Sequence, residues 1–184
     1  MRQEGGARWV WAALGLDSPG DRRLARALVA AGARAARQPA LFGPGRVDDT
    51  FSGRFELVAL HAALLTRRVG DEPGRHRLAQ ALANRLFSSF DEALREVGEG
   101  DLSVAKRMKG LARSYFGRLQ AYEAAIAADD AAALESALSR NIWDSDAAPF
   151  APALARYVAQ VVTALAAGSI QDLVDEAHWP PAPA

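Results

Sequence analysis

Leu78, Leu82, Leu86, Phe90 and Leu94 recur at a steady interval of four. That interval lines one face of an α-helix, and it constrains the fold more than any other feature of the chain. The pattern is not local. Leu57, Leu60, His61, Leu64 and Leu65 form a similar stripe at spacings of three and four, and Met108, Leu111, Tyr115, Leu119, Tyr122 and Ile126 line a third. Runs of β-branched residues in period two are absent, and Ala, Leu and Arg, all good helix formers, dominate. The sequence therefore predicts an all-α fold: a single compact bundle of about six to seven helices. With 184 residues, half of them hydrophobic, the chain can bury a substantial core.

Punctuation places the elements. Ser18-Pro19-Gly20-Asp21 opens the first confident helix: serine caps, proline suits the first helical position, and an acid follows three residues after the serine. This helix ends before Pro39, and a Gly/Pro loop, FGPGRVDDTFSG, follows. The second helix is expected to begin near Arg54 and to break at Gly70–Gly74. The third runs from about Arg75 to Val97. Asp101 caps a long fourth, Asp129-Asp130 starts a fifth that ends near Trp143, and a sixth spans about Pro149 to Ala167. Residues 1–17 form an N-terminal segment with at most a short helix, 18–178 the helical domain, and 179–184 a Pro-rich tail, WPPAPA, that proline keeps from being helical. The first 17 and last six residues are expected to be the least ordered.

Composition narrows the function. Lys plus Arg and Asp plus Glu are equal at 22 each, which argues against a general or sequence-specific nucleic-acid binder, whose domain would carry a basic excess. There is no cysteine, so disulfides, thiolate metal sites and cysteine nucleophiles are excluded. The apolar run Trp9–Leu16 is short, has Glu4 upstream and lacks a small-x-small cleavage site, so a secretory signal is not expected. Arg156 and Gln160 interrupt the most apolar later stretch, and no membrane span is expected.

Charge is sorted sharply around one hinge. Between Asp91 and Glu99 stand Asp91, Glu92, Glu96 and Glu99 against Arg95 alone. Between Asp101 and Arg118 stand Lys106, Arg107, Lys109, Arg113 and Arg118 against Asp101 alone. Acids at a helix C-terminus and bases at the next N-terminus oppose both helix dipoles, so helix stability alone would not choose this arrangement. Pairing across the turn would account for some of these charges, and an anionic partner for the others. Gly110, Ser114, Gly117 and Ala121 fall on the same helix at intervals of four, three and four. Such a strip of small residues lets another helix approach closely. Tyr115 joins the apolar stripe, whereas Phe116 points about 100° away and is the better candidate for a partner contact.

These residues resemble the ubiquinol–cytochrome c chaperones, assembly factors for respiratory complex III with mitochondrial and alphaproteobacterial members. The resemblance spans about Val47 to Trp143. It is carried by Asp49, Thr50, Gly53, Arg54, Phe55 and Glu56; by Leu60 and His61; by Leu94, Arg95, Glu96, Gly98, Asp101, Leu102, Val104 and Lys106; and by Lys109, Phe116, Gly117 and Arg118. Asp48 replaces a usual proline, and Glu99 stands where the family is usually apolar, so the geometry of those two turns does not carry over with the motif. The resemblance implies a non-enzymatic chaperone that binds nascent or immature cytochrome b and needs no cofactor. It also brings the ribosome into view as a partner, since mitochondrial members associate with it. An anionic membrane surface would suit the cationic helix, and the expected location is the cytoplasm, at or near the inner face of the cytoplasmic membrane. Lys106, Lys109, Gly110, Arg113, Phe116, Gly117 and Arg118 are the expected contact surface. Arg54 is expected to pin the preceding loop to this region through Glu96 or Asp101.

Two rivals stand beside that reading. One is a small all-helical enzyme acting on an anionic or isoprenoid-like substrate, with His61 and Glu96 converging in an internal polar pocket. The other is a bundle that binds only its own copy. His61, on an apolar stripe, reads as a core histidine with a hydrogen bond; as a haem ligand it lacks a second ligand at useful spacing. No Glu-x-x-His or His-x-x-x-His occurs, so no metal site is expected. Gly-x-Gly at 98–100 lacks the third glycine and preceding strand of a dinucleotide loop and reads as a helix stop. Trp143 and Trp179 read as packing residues.

Overall fold

The first helix starts where its cap requires. Ser18 Oγ accepts a hydrogen bond from the Asp21 amide at 3.0 Å, Pro19 opens the helix, and α1 runs Pro19–Ala35. The computed structural model describes residues 18–96 and 101–183. Five further helices follow: α2 Phe51–Gly70, α3 His76–Glu96, α4 Asp101–Ala127, α5 Ala131–Trp143 and α6 Ala151–Ala167. Short 3-10 turns cover Pro39–Leu41, Asp172–Val174 and Glu176–His178. Among the described residues there is no strand, and the nearest approach to one is an isolated bridge between Phe42 and Val47 in the α1–α2 loop. The fold is the all-α bundle that the apolar stripes predict.

α2 is the central helix. It packs against α1, α3, α4, α5 and α6, which explains why Leu57, Leu60, Leu64, Leu65 and Val69 are all buried. It begins at Phe51, three residues earlier than the sequence suggested, because Thr50 is its cap and accepts from the Gly53 amide at 3.1 Å. Gly53 looked like a breaker, yet it is required inside the first turn: a Cβ there would collide with the Asp48 carbonyl oxygen. α1 approaches α2 through small residues, Ala25, Ala31, Gly32 and Ala35, all buried. A Cβ on Gly32 would lie 2.9 Å from Leu65 Cδ1.

Other ends are tied off in recognisable ways. Asp130 caps α5 by accepting from the Ala133 amide at 2.9 Å. Arg68 reaches from α2 to the end of α6 and donates to the Leu165 and Gly168 carbonyls, placing a cation where carbonyls lack intrahelical partners. α6 begins at Ala151 rather than near Pro149; Ser139 Oγ in α5 accepts from the Ala148 amide and holds the turn just before it.

The C-terminal tail is non-helical, as its prolines dictate, but it is held. Trp179 is buried and donates from Nε1 to the Leu173 carbonyl, and its ring lies 5.8 Å from that of His61. Gln38 donates to the Pro180 carbonyl and accepts from the Ala182 amide. The expectation of a loose tail is thus corrected for residues 179–183; the expectation for residues 1–17 falls outside the described residues.

Candidate functional site

The second half of α4 divides cleanly between an inner and an outer face. Tyr115, Leu119 and Tyr122 are buried, and the Tyr115 hydroxyl pairs with Thr66 Oγ1 of α2 at 2.9 Å. Burial raises the Tyr115 phenol above its ordinary range and pushes that of Tyr122 up to about 12. Gly110, Arg113, Ser114, Phe116 and Gly117 are exposed on the other side. A Cβ built on Gly110 or Gly117 would meet nothing within 4 Å. No helix among the described residues therefore packs closely on Gly110 or Gly117, although glycine lowers helix stability at both places. The side chains of Lys106, Lys109, Glu96 and Asp101, and the whole of Gly98, lie outside the described residues.

Phe116 stands out. It is 40% exposed, and with Phe51 it is one of two large apolar side chains in the open among the described residues. Its ring is propped rather than free, 5.9 Å from Phe87 of α3 and 5.5 Å from Tyr115. Phe87 continues to Phe90, and Phe90 to Phe55 of α2 at 4.7 Å. The exposed ring on α4 is the outer end of an aromatic row that crosses α3 to the second turn of α2.

Arg118 does not belong to the exposed surface on which the sequence placed it. Its Nη2 donates to Glu56 Oε1 at 2.6 Å, and the two side chains are only 17% and 10% exposed. Burial raises the Glu56 carboxyl above its ordinary range, and the charge and hydrogen bond of Arg118 only partly oppose this. Glu56 Oε2 and Arg118 Nε find no hydrogen-bond partner among the described residues, so the pair rests on one bond. The signal was present in the sequence: Glu56 sits four residues before Leu60 on the apolar stripe of α2, where an acid is out of place without an internal cation.

Arg54 pins its own loop through Asp49. It forms a two-pronged pair with Asp49, at 2.5 and 3.1 Å, and its guanidinium lies over the Phe42 ring. The Thr50 cap turns the chain so that Asp49, five residues back, reaches Arg54 directly. The expected pairing with Glu96 or Asp101 falls on side chains outside the described residues. At the far end of the same loop, Trp143 Nε1 donates to the Arg46 carbonyl and ties α5 to it.

His61 is sealed. Its Nδ1 lies 2.7 Å from the Leu57 carbonyl, which can only accept, so Nδ1 carries the proton and Nε2 accepts from the Tyr157 hydroxyl at 2.8 Å. Complete burial lowers its pKa from 6.5 to about 4, so the ring is neutral near pH 7. Neither nitrogen is left for a metal or for acid–base work on a substrate. This is the hydrogen-bonded core histidine that its place on the stripe implied.

Comparison with known proteins agrees with this architecture. Residues 45–179 match the family described as Ubiquinol-cytochrome C chaperone, a range extending 36 residues beyond Trp143 to the buried Trp179. The fold is similar to the crystal structure of the Cbp3 homolog from Brucella abortus, with 40% sequence identity and a TM-score of 0.72, over 85% of this chain and 87% of that one. None of the curated proteins matches. Over most of its length, in sequence and in fold, the chain belongs to the ubiquinol–cytochrome c chaperone family.

Proposed function

We propose that this chain is a non-enzymatic chaperone that holds newly made cytochrome b while complex III is assembled, and that the client docks on the outer face of α4. Family membership supports an assembly chaperone. The observation that carries the site is the uncovered strip of Gly110, Ser114 and Gly117, flanked by Arg113 and the propped ring of Phe116. Small residues allow a transmembrane client's helix to come close, and an exposed aromatic supplies an apolar anchor. Among the described residues no helix is long and apolar enough to cross a membrane. Lys106 and Lys109, on the same helix, would add attraction to an anionic surface, whether of the inner face of the cytoplasmic membrane or of a translating ribosome. The sealed state of His61 weighs against the enzyme reading, whose pocket needed that ring open.

The test is capture with crosslinking from membranes, using tagged wild type and a variant with Lys106, Lys109 and Arg113 all changed to Gln. Cytochrome b should be enriched with wild type and depleted with the variant, and the association should weaken as salt rises. Salt-independent association together with normal complex III in the variant would remove these cations from the contact. The absence of any membrane client would refute the reading.

A further inference from the structure

A second surface lies apart from the α4 face. A groove of about 330 Å³ runs between α1, the start of α2 and the second half of α3, and no described residue of α4 lines it. Val29, Phe55, Val58 and Phe90 make its floor, and the half-exposed ring of Phe51 stands at its edge. Four arginines surround it: Arg26, Arg37, Arg54 and Arg85. Two are already neutralised. Asp49 holds Arg54, and Glu92 holds Arg85 at 2.8 and 3.2 Å. Among the described residues no carboxylate forms a salt bridge with Arg26 or Arg37, both of which are exposed, although Glu92 lies near enough to Arg26 to be influenced by its charge; the Arg37 side chain donates to the Ala33 carbonyl in the last turn of α1.

The spacing of these two cations is informative. Arg26 lies in α1, and Arg37 in the turn two residues past its end at Ala35. At 1.5 Å per residue the helix carries the chain about 14 Å from Arg26 to Ala35, so the two cations stand at the two ends of the α1 face that lines the groove. Ala30 and Ala33 lie between them on that face and also line the groove. The surface is therefore an apolar trough nearly three helical turns long, open to close backbone approach, with an arginine at each end that no described carboxylate holds in a salt bridge. We infer that this groove binds an amphipathic helix of a partner protein, about three turns long, with apolar residues along one edge and an acidic residue near each end. A lipid fits less well, because it carries its charge at one end, whereas the trough is charged at both. The inference deepens the chaperone reading and rests on it for the partner being a protein. It adds a recognition element for an acidic amphipathic segment, separate from the α4 strip.

The probe is a fluorescent helix-forming peptide of 14 residues, with two glutamates eleven apart and leucines between them on the same face. Anisotropy with the full chain should give micromolar binding. A peptide with lysines in place of the glutamates should bind at least tenfold more weakly. Arg26→Glu combined with Arg37→Glu should invert that preference, a gain of binding that an unfolded variant would not show. Phe51→Ser should weaken the glutamate peptide several-fold. Equal binding of the two peptides would overturn the inference. So would binding of phosphatidylglycerol vesicles but not peptide, lost in the double arginine variant, which would assign the groove to lipid. A wild-type dimer in sedimentation that the double variant dissolves would assign it to a second copy. Crosslinking to cytochrome b separates this proposal from the broader one. If the double variant fails to bind the peptide yet captures cytochrome b normally, the groove is not part of client recognition and the chaperone reading stands. If the peptide binds as expected while wild type captures no cytochrome b, the groove stands and the client assignment falls.

Discussion

Gly117→Leu separates two meanings of the small-residue strip by the sign of its effect. If a helix of this chain packed on the strip, four added carbons would force it away, at a cost of about 1–3 kcal/mol. The structure gives the opposite answer, because a Cβ at Gly117 meets nothing within 4 Å and the position is exposed. What remains is the intrinsic preference of the helix interior, where leucine is better than glycine by about 0.8 kcal/mol. The variant should therefore be more stable than wild type, with a melting temperature raised by roughly 2–3 °C for a chain of this size. Gly110→Ala should behave alike. The two sites are about 10 Å apart along α4, far enough for their effects to add. Urea and thermal denaturation followed by helical circular dichroism measure this directly. Client capture should fall in Gly117→Leu, since the added side chain occupies the space a docking helix needs. A loss of more than about 1 kcal/mol would mean that the strip is covered within the fold, and the proposed site on α4 would be withdrawn.

Three further outcomes follow from the interior. Arg118→Met strands the Glu56 carboxylate and should cost on the order of 3 kcal/mol at pH 7. The raised pKa of Glu56 means that the protonated form is the one burial favours, so this loss should appear as pH rises through the raised value and shrink below pH 4.5, and Glu56→Gln in the same chain should recover part of it; urea midpoints across pH measure both. His61, depressed from 6.5 to about 4, contributes stability that is complete above pH 6.5 and is lost as pH falls toward 4, about 3 kcal/mol in all; the difference in pH slope between wild type and His61→Gln isolates it, and identical slopes would contradict the buried neutral ring. Trp179→Ala should cost about 3–5 kcal/mol, as for a buried aromatic truncation, measured by the same denaturation; a change under 1 kcal/mol would show that the tail is not part of the core.

Much of this was legible because helices advertise themselves through periodicity. The stripes on α2, α3 and α4 sort the described residues correctly into buried and exposed, Tyr115 against Phe116 included. Ser18 and Asp130 are caps readable from spacing alone. Thr50 escaped because Gly53 reads as a loop residue in one dimension, whereas in space the glycine makes room for the carbonyl of Asp48. Arg118 escaped because it lies at the edge of the stripe, where helical geometry cannot say whether a long side chain reaches inward; Glu56 on the facing helix decides it. The held tail escaped for another reason. Its partners, Gln38 and Gly32, lie more than 140 residues earlier, and composition says nothing about such distant contacts.

That last contact has a temporal side. The Ala182 amide bonds to Gln38, Gln38 reaches the Tyr157 hydroxyl at 3.5 Å, and Tyr157 bonds to His61 in the central helix. α1 is thus completed by residues made 144 positions later. At about 5–20 residues per second of synthesis, α1 waits roughly 7–30 s before Trp179 can close over Gly32 and His61. Throughout that interval the side of α1 that Trp179 covers, and Gln38 just beyond the helix, stay open, so a ribosome-stalled chain ending before Trp179 should be cut by protease near the end of α1 where the released chain is protected. The packing around His61 is therefore completed only once the segment from Trp179 to Ala182 has been made.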